Sequence, residues 1–257
     1  MSVAPKKSLG QHFLVDDNIL GVIARLAELG PDDVALEIGP GLGVLTRVLA
    51  DRSAHVHAVE LDRRLEPHLS ELAARDNVSL HWGDALRIDL ASLDPAPTKL
   101  VANLPYNIAT PIVAESLAGL PSVALWCVMV QREVADRFFA SPSTKAYTAV
   151  SVLVQLAAAK TALHPVSRTV FRPPPNVDSA IVAFRRIPLP ERFADVRRVV
   201  DGAFAHRRKT LANSLQLAGV ATREAAVAAL GSLDLDPAVR AEALTPDRFV
   251  ELTDALG

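Results

Sequence analysis

Two hydrophobic rhythms alternate along the first 186 residues. Short apolar runs at 34–38, 55–59, 78–82, 99–102, 124–130, 150–159 and 179–185 have the length and composition of strands. Between most of them the apolar positions fall three and four apart, as at Ile19, Leu20, Ile23, Leu26 and Ala27, which predicts helices over 17–29, 44–51, 62–75, 110–119 and 131–139. Strands alternating with helices form a mostly parallel sheet covered on both faces, here of seven strands. The last two strands have no convincing helix between them, so an antiparallel edge hairpin is expected there. Their connection holds Phe171-Arg172-Pro173-Pro174-Pro175, too rigid and too short of N–H donors for a helix or an inner strand. After Ile187-Pro188-Leu189-Pro190 the pattern becomes purely helical, near 191–205, 208–218, 222–231 and 246–255. The expected organisation is an α/β domain over 1–187 and a small all-helical domain over 188–257.

In an open α/β sheet, ligands bind beyond the carboxyl ends of the strands. The first central strand runs into Gly39-Pro40-Gly41-Leu42-Gly43, where the missing Cβ atoms let a ligand approach the backbone. Its G-x-G-x-G spacing is not the G-x-G-x-x-G of dinucleotide enzymes, so a pyrophosphate is not its natural guest. The second strand ends in Glu60, placed to accept both hydroxyls of a ribose, and the third in Gly83-Asp84-Ala85, whose carboxylate can accept from an adenine amine. The fourth ends in Asn103-Leu104-Pro105-Tyr106. There the Asn103 amide oxygen and the Leu104 carbonyl can accept from an exocyclic amine while Tyr106 stacks on the attached ring. This tetrapeptide resembles the catalytic motif of methyltransferases acting on nitrogen, and alone it is equally a strand-end turn. Following the glycines, Glu60 and Asp84 in order, it reads as S-adenosylmethionine held beside a target amine.

Composition permits this reading without selecting it. With 257 residues and 50% hydrophobic content, the chain can bury one large core and a small one. Cys127, the single cysteine, lies inside the apolar run 123–130, which excludes an internal disulfide and makes it a poor nucleophile. His55-x-His57 lacks a third ligand at metal spacing, so no metal is expected. The N-terminal segment lacks an apolar signal region and no run approaches the length of a membrane span, so a cytoplasmic protein without a membrane partner is expected. The formal net charge of −2 argues against a nucleic-acid partner, but residues 185–213 carry eight Arg or Lys against three acids, a local +5 that leaves −7 elsewhere. A charge run is most often a solvated helix face. In a chain that also carries the strand-end motifs, it reads as a phosphate-binding face.

Six ordered motifs then cover nearly the whole chain: Leu9-Gly10-Gln11-His12-Phe13-Leu14, Glu37-Ile38-Gly39-Pro40-Gly41, Asn103-Leu104-Pro105-Tyr106-Asn107-Ile108, Met129-Val130-Gln131-Arg132-Glu133-Val134, Phe171-Arg172-Pro173-Pro174-Pro175-Asn176-Val177-Asp178-Ser179 and Arg207-Arg208-Lys209-Thr210-Leu211. Together they resemble the KsgA family, the small-subunit ribosomal RNA adenine dimethyltransferases. The resemblance implies a Rossmann-like class I S-adenosylmethionine-dependent methyltransferase that dimethylates two adjacent adenosines in the 3′-terminal hairpin of 16S rRNA. Its partner would be an immature 30S subunit, and a monomer is expected. Cofactor contacts are implied at His12, Leu14, Gly39, Gly41, Glu60, Asp84 and Asn103. Catalytic roles fall to Asn103, Leu104, Tyr106 and Phe171, the two rings clamping an adenine drawn from its stack, and RNA binding to Arg207, Arg208 and Lys209. His12 departs from the family's usual Asn. Two alternatives stay open: a 23S rRNA methyltransferase of the erythromycin-resistance type, or an assembly factor acting mainly by binding.

Overall fold

The computed structural model describes residues 11–206 and 208–257. It opens with β1 (Phe13–Leu14) and α1 (Asp17–Leu26), whose first amides are capped by Asp16 Oδ1, accepting from Asn18 at 2.9 Å and Ile19 at 3.1 Å. Alternation follows through β2 (Val34–Ile38), α2 (Val44–Ala50), β3 (His55–Glu60), α3 (Glu66–Ala73), β4 (Val78–Trp82), β5 (Lys99–Asn103), α4 (Ala109–Gly119), β6 (Leu125–Gln131) and α5 (Arg132–Phe138). Next come α6 (Ala149–Ala157), β7 (Ala158–Val166), β8 (Phe171–Arg172) and β9 (Ser179–Arg186). The chain ends in α7 (Phe193–Phe204), α8 (Leu211–Leu217), α9 (Arg223–Ser232) and α10 (Pro246–Leu256).

Seven strands form one sheet in the order β4-β3-β2-β5-β6-β9-β7. β2 to β6 pair in parallel, and β9 runs antiparallel to β6. Every residue of β2 is buried, which is why it reads as an apolar run, interrupted only by Glu37, rather than an alternating one. The chain travels outward from β2 to β4 and then returns to β5 on the other side of β2. At that reversal the loops beyond β2 and β5 diverge, opening a crevice at the carboxyl ends of the strands. β1 and β8 form a separate antiparallel ribbon that pairs Phe13 with Arg172 and Leu14 with Phe171.

The structure corrects one element. The run expected as a strand at 150–159 is helix α6, and the strand begins only at Ala158. A short, fully buried Val/Leu run fits either form, and here the start signal decides: Ser151 Oγ accepts from the Thr148 amide at 3.0 Å and donates to the Arg137 carbonyl at 2.5 Å.

The chain divides into two compact units. Residues up to Ala135 with Lys160–Arg186 make one, and Asp136–Ala159 with Ile187–Gly257 the other. Residues 136–159, expected within the first domain, thus group with the C-terminal helices, where Tyr147 is fully buried and donates to the Leu244 carbonyl at 2.8 Å. In the first unit the heaviest packing lies around β6: Trp126 stacks on Phe184 with ring centroids 5.3 Å apart, and its indole N–H donates to Ser116 at 2.8 Å. Cys127 is sealed in this core, and burial pushes its thiol up to about 12.

Candidate active site

The crevice beyond β2, β3, β4 and β5 is walled by the strand-end segments that the sequence singles out. Leaving β2, the chain turns through Gly39 at φ +74° and Gly41 at φ +59°. A Cβ would stand 3.1 Å from the Pro105 ring at Gly39 and 3.1 Å from the Phe13 ring at Gly41. The glycines therefore serve backbone geometry and close approach together, so a larger residue would fill the cradle. Glu60 closes β3 at 6% exposure, with Oε1 accepting from the Asp62 amide at 2.8 Å and Oε2 from Gly41 at 3.2 Å. Burial raises its pKa, while these backbone donors oppose the rise. Each oxygen retains a lone pair for a ribose hydroxyl. Asp62 is locked in turn by Arg64, whose guanidinium holds its carboxyl well below the usual carboxylate range, and by Gln11, which donates to it at 3.1 Å.

Asp84, just beyond β4, also lines the crevice and is more open to solvent, with Oδ1 accepting from Leu86 at 3.0 Å. His12 and Leu14 also line the crevice. His12 Nδ1 donates to the Pro173 carbonyl at 2.8 Å, which fixes the ring against the Phe171–Pro175 segment. The Leu104 amide donates to Met129 at 3.0 Å, anchoring the tetrapeptide to β6. Asn103 Nδ2 donates to the His12 carbonyl at 3.3 Å, and no hydrogen bond reaches its Oδ1 among the described residues. Tyr106, half-buried beside the His12 ring at 5.5 Å, is held by a 2.6 Å hydrogen bond to Ser179.

Of the two rings expected to clamp the base, Tyr106 lines the crevice and Phe171 does not. Phe171 is 1% exposed, packed in the apolar core with Leu14, Ile181 and Val170, and does not line the crevice. Its pairing with Leu14 across the β1–β8 ribbon turns it inward. Arg207 lies outside the described residues, as do Leu9 and Gly10; Arg208 and Lys209 are exposed in the second unit. Sequence reasoning missed Glu37 and Ser179. Glu37 carried a signal, a polar residue inside an otherwise apolar strand, whereas Ser179 is the first residue of β9 and its position alone marks nothing.

A sequence profile described as Ribosomal RNA adenine dimethylase matches residues 3–256. The chain belongs to that family. Relatives of this dimethylase include the Ribosomal RNA small subunit methyltransferase A of Lactiplantibacillus plantarum, 49% identical over 98% of this chain and 90% of the relative, and that of Rubrobacter xylanophilus, 48% identical over 96% and 94%. Among solved structures, a dimethyladenosine transferase from Plasmodium falciparum superposes with TM-score 0.77 at 25% identity, covering 94% of this chain and 96% of that one. The 23S rRNA methyltransferase ErmE superposes with TM-score 0.67 at 28% identity, covering 95% and 99%. The dimethylase thus has the class I methyltransferase fold, with S-adenosylmethionine as the methyl source of its family. Among the described residues no cluster of His, Cys, Asp or Glu is arranged to hold a metal, and no helix is long and apolar enough to cross a membrane.

Proposed function

We propose that this enzyme transfers four methyl groups to two adjacent adenosines in the 3′-terminal hairpin of 16S rRNA, within an immature 30S subunit. The observation that carries the reading is the meeting of the glycine turn, Glu60, Asp84 and Asn103-Leu104-Pro105-Tyr106 in one crevice. The residues fit S-adenosylmethionine by their donor set: a cradle that a Cβ would fill at Gly39 and Gly41, a buried carboxyl at Glu60 with spare acceptors, and Asp84 on the rim. When bound, the cofactor supplies a methyl group already activated on a sulfonium. No strong base is then required of the protein.

What remains for this chain is positioning. An adenine amine shares its lone pair with the ring and must be pyramidalised before it attacks. Asn103 Oδ1 and the Leu104 carbonyl accept its two hydrogens and favour that geometry, and Tyr106 stacks on the base. His12 and Leu14 complete the cofactor wall. Arg207, Arg208 and Lys209 contact backbone phosphates. The small-subunit substrate is favoured over the erythromycin-resistance alternative because the relatives at 48–49% identity carry the small-subunit name, whereas the 23S enzyme is 28% identical.

Reverse-transcription mapping of rRNA from cells lacking the protein tests the substrate directly. Two adjacent unmethylated adenosines near the 3′ end of 16S rRNA are expected, and a change confined to 23S rRNA contradicts the reading. Immature small subunits should also be modified faster than the protein-free hairpin, because an assembled particle holds the RNA in shape.

A further inference from the structure

Glu37 lines the crevice, yet the reading above gives it no task. It is the fourth residue of β2, in a strand otherwise apolar, and is 1% exposed. Its Oε2 has no hydrogen-bond partner among the described residues. The fully buried hydroxyl of Thr46, reaching it from α2, comes close enough to favour its ionised form without closing a well-formed hydrogen bond. Buried polar atoms are rarely left unpaired, and a carboxylate least of all. An unpartnered carboxyl oxygen on a cavity wall marks a place that something entering the cavity completes.

The charges around this carboxyl define what can enter. Among the described lining residues there is no Lys or Arg; the ionisable groups are Glu37, Glu60, Asp84, His12 and Tyr106. From β3, Glu60 adds like charge; from β5, Val101 and Ala102 offer none and Asn103 is neutral; Asp84 stands beyond β4. Arg47 on α2 is committed to Glu71 at 3.1 Å, and the His12 ring to Pro173. An ionised Glu37 would therefore face another carboxylate with no cation among the described residues to balance either. Burial, reinforced by Glu60 and opposed by Thr46, raises its pKa to about 8.

We propose that the Glu37 carboxyl keeps its proton in the ligand-free protein and releases it to solvent when a cationic group of the cofactor enters the crevice. The O–H bond breaks, the proton passes to buffer, and the carboxylate left behind pairs with the arriving cation. Cofactor binding is then an exchange of a proton for a cation. This rests on the cofactor reading above, and S-adenosylmethionine offers two cations, its sulfonium and its α-ammonium.

Calorimetry of the full-length protein at pH 7, in buffers of different ionisation enthalpy, counts the protons released. The wild type should release close to one proton more per S-adenosylmethionine bound than Glu37→Gln. Release that persists with S-adenosylhomocysteine, which lacks the sulfonium, assigns the ammonium as the cation; release confined to S-adenosylmethionine assigns the sulfonium. Equal release with 5′-methylthioadenosine, which has neither charge, overturns the proposal, as does equal release from Glu37→Gln, which would move the proton to Glu60. Should that variant not fold, infrared difference spectra of the wild type decide: binding should remove a protonated-carboxyl C=O band, and a band that stays overturns the proposal. Saturable binding without proton release defeats the proposal alone. No saturable heat from the wild type defeats the cofactor reading with it.

Discussion

At the scale of single residues, the crevice separates groups that bind from groups that act. Glu60 is nearly buried and already accepts two backbone amides, so its loss removes the brace of the glycine turn together with the proposed ribose acceptor. Glu60→Ala should lower affinity for S-adenosylmethionine by about 2–4 kcal/mol in calorimetry. Wild-type affinity would sink its assignment. Asn103 is different, because in the proposed mechanism its acceptor matters most as the amine pyramidalises. Asn103→Ala should slow methylation by about 10²–10³-fold and leave RNA affinity nearly unchanged, and equal losses in both would reduce Asn103 to a turn residue. Phe171 belongs to the core, so Phe171→Leu should lower melting temperature while stable preparations keep their methylation rate. Glu37 adds a pH dependence. Its folded pKa of about 8 stands above the ordinary 4.5, so the stabilising effect of the protonated group is complete below 4.5 and is lost as pH rises towards 8. The melting temperature of ligand-free Glu37→Gln should therefore gain on that of the wild type between about pH 5 and 8, and a constant gap would show that the carboxyl titrates normally.

At the scale of elements, hydrophobic rhythm located most strands and helices but could not decide between two forms of one run. Val150 to Ala157 is buried almost throughout, and burial on all sides erases the periodicity that tells strand from helix. The decision lies in the Ser151 hydroxyl, which ties the first turn of α6 to the Arg137 carbonyl. Ser151→Ala should cost about 1–2 kcal/mol in chemical denaturation, because it leaves the Thr148 amide at the helix start unpaired and removes one of the two hydrogen bonds that the Arg137 carbonyl accepts. A second element-scale surprise is Arg186. Counted from sequence among the phosphate-binding cations, it is half-buried over the Trp126 ring, 4.8 Å from its centroid. From there it donates to the carbonyls of Leu117 and Leu120 at the end of α4 and of Val123 just beyond it.

At the scale of the whole molecule, the basic segment is smaller than its composition suggests. Besides Arg186, Arg185 pairs with Glu28 at 2.6 Å, Arg192 with Asp195 at 3.0 Å and Arg197 with Asp201 at 3.6 Å. Among the described cations of the segment, Arg198, Arg208 and Lys209 have no ion pair with a described residue. In a chain of net charge −2, a basic segment with so few free cations cannot by itself grip RNA generally. Reversing the charges of Arg208 and Lys209 should therefore weaken binding to immature small subunits. The log–log salt dependence of that binding should flatten by up to about one unit for each phosphate that is no longer neutralised. An unchanged salt slope would place the phosphate-binding face elsewhere on the protein.

The glycine turn, Glu60, Asp84 and Asn103-Leu104-Pro105-Tyr106 were legible in the sequence because each is local: a strand end followed by residues whose chemistry is complete within a few positions. Their order along the chain carried the class of fold and of reaction. What no local pattern contains is the strand order β4-β3-β2-β5-β6-β9-β7, which brings residues 39, 60, 84 and 103 around one crevice. Burial is likewise settled only by tertiary contact. It turns Phe171 into core, encloses Glu37 beside Glu60, commits Arg186 to a helix end and sets Ser179 against Tyr106. A side chain's type states what it can do; its surroundings decide its charge and its partner, and those surroundings are assembled from residues distant in sequence.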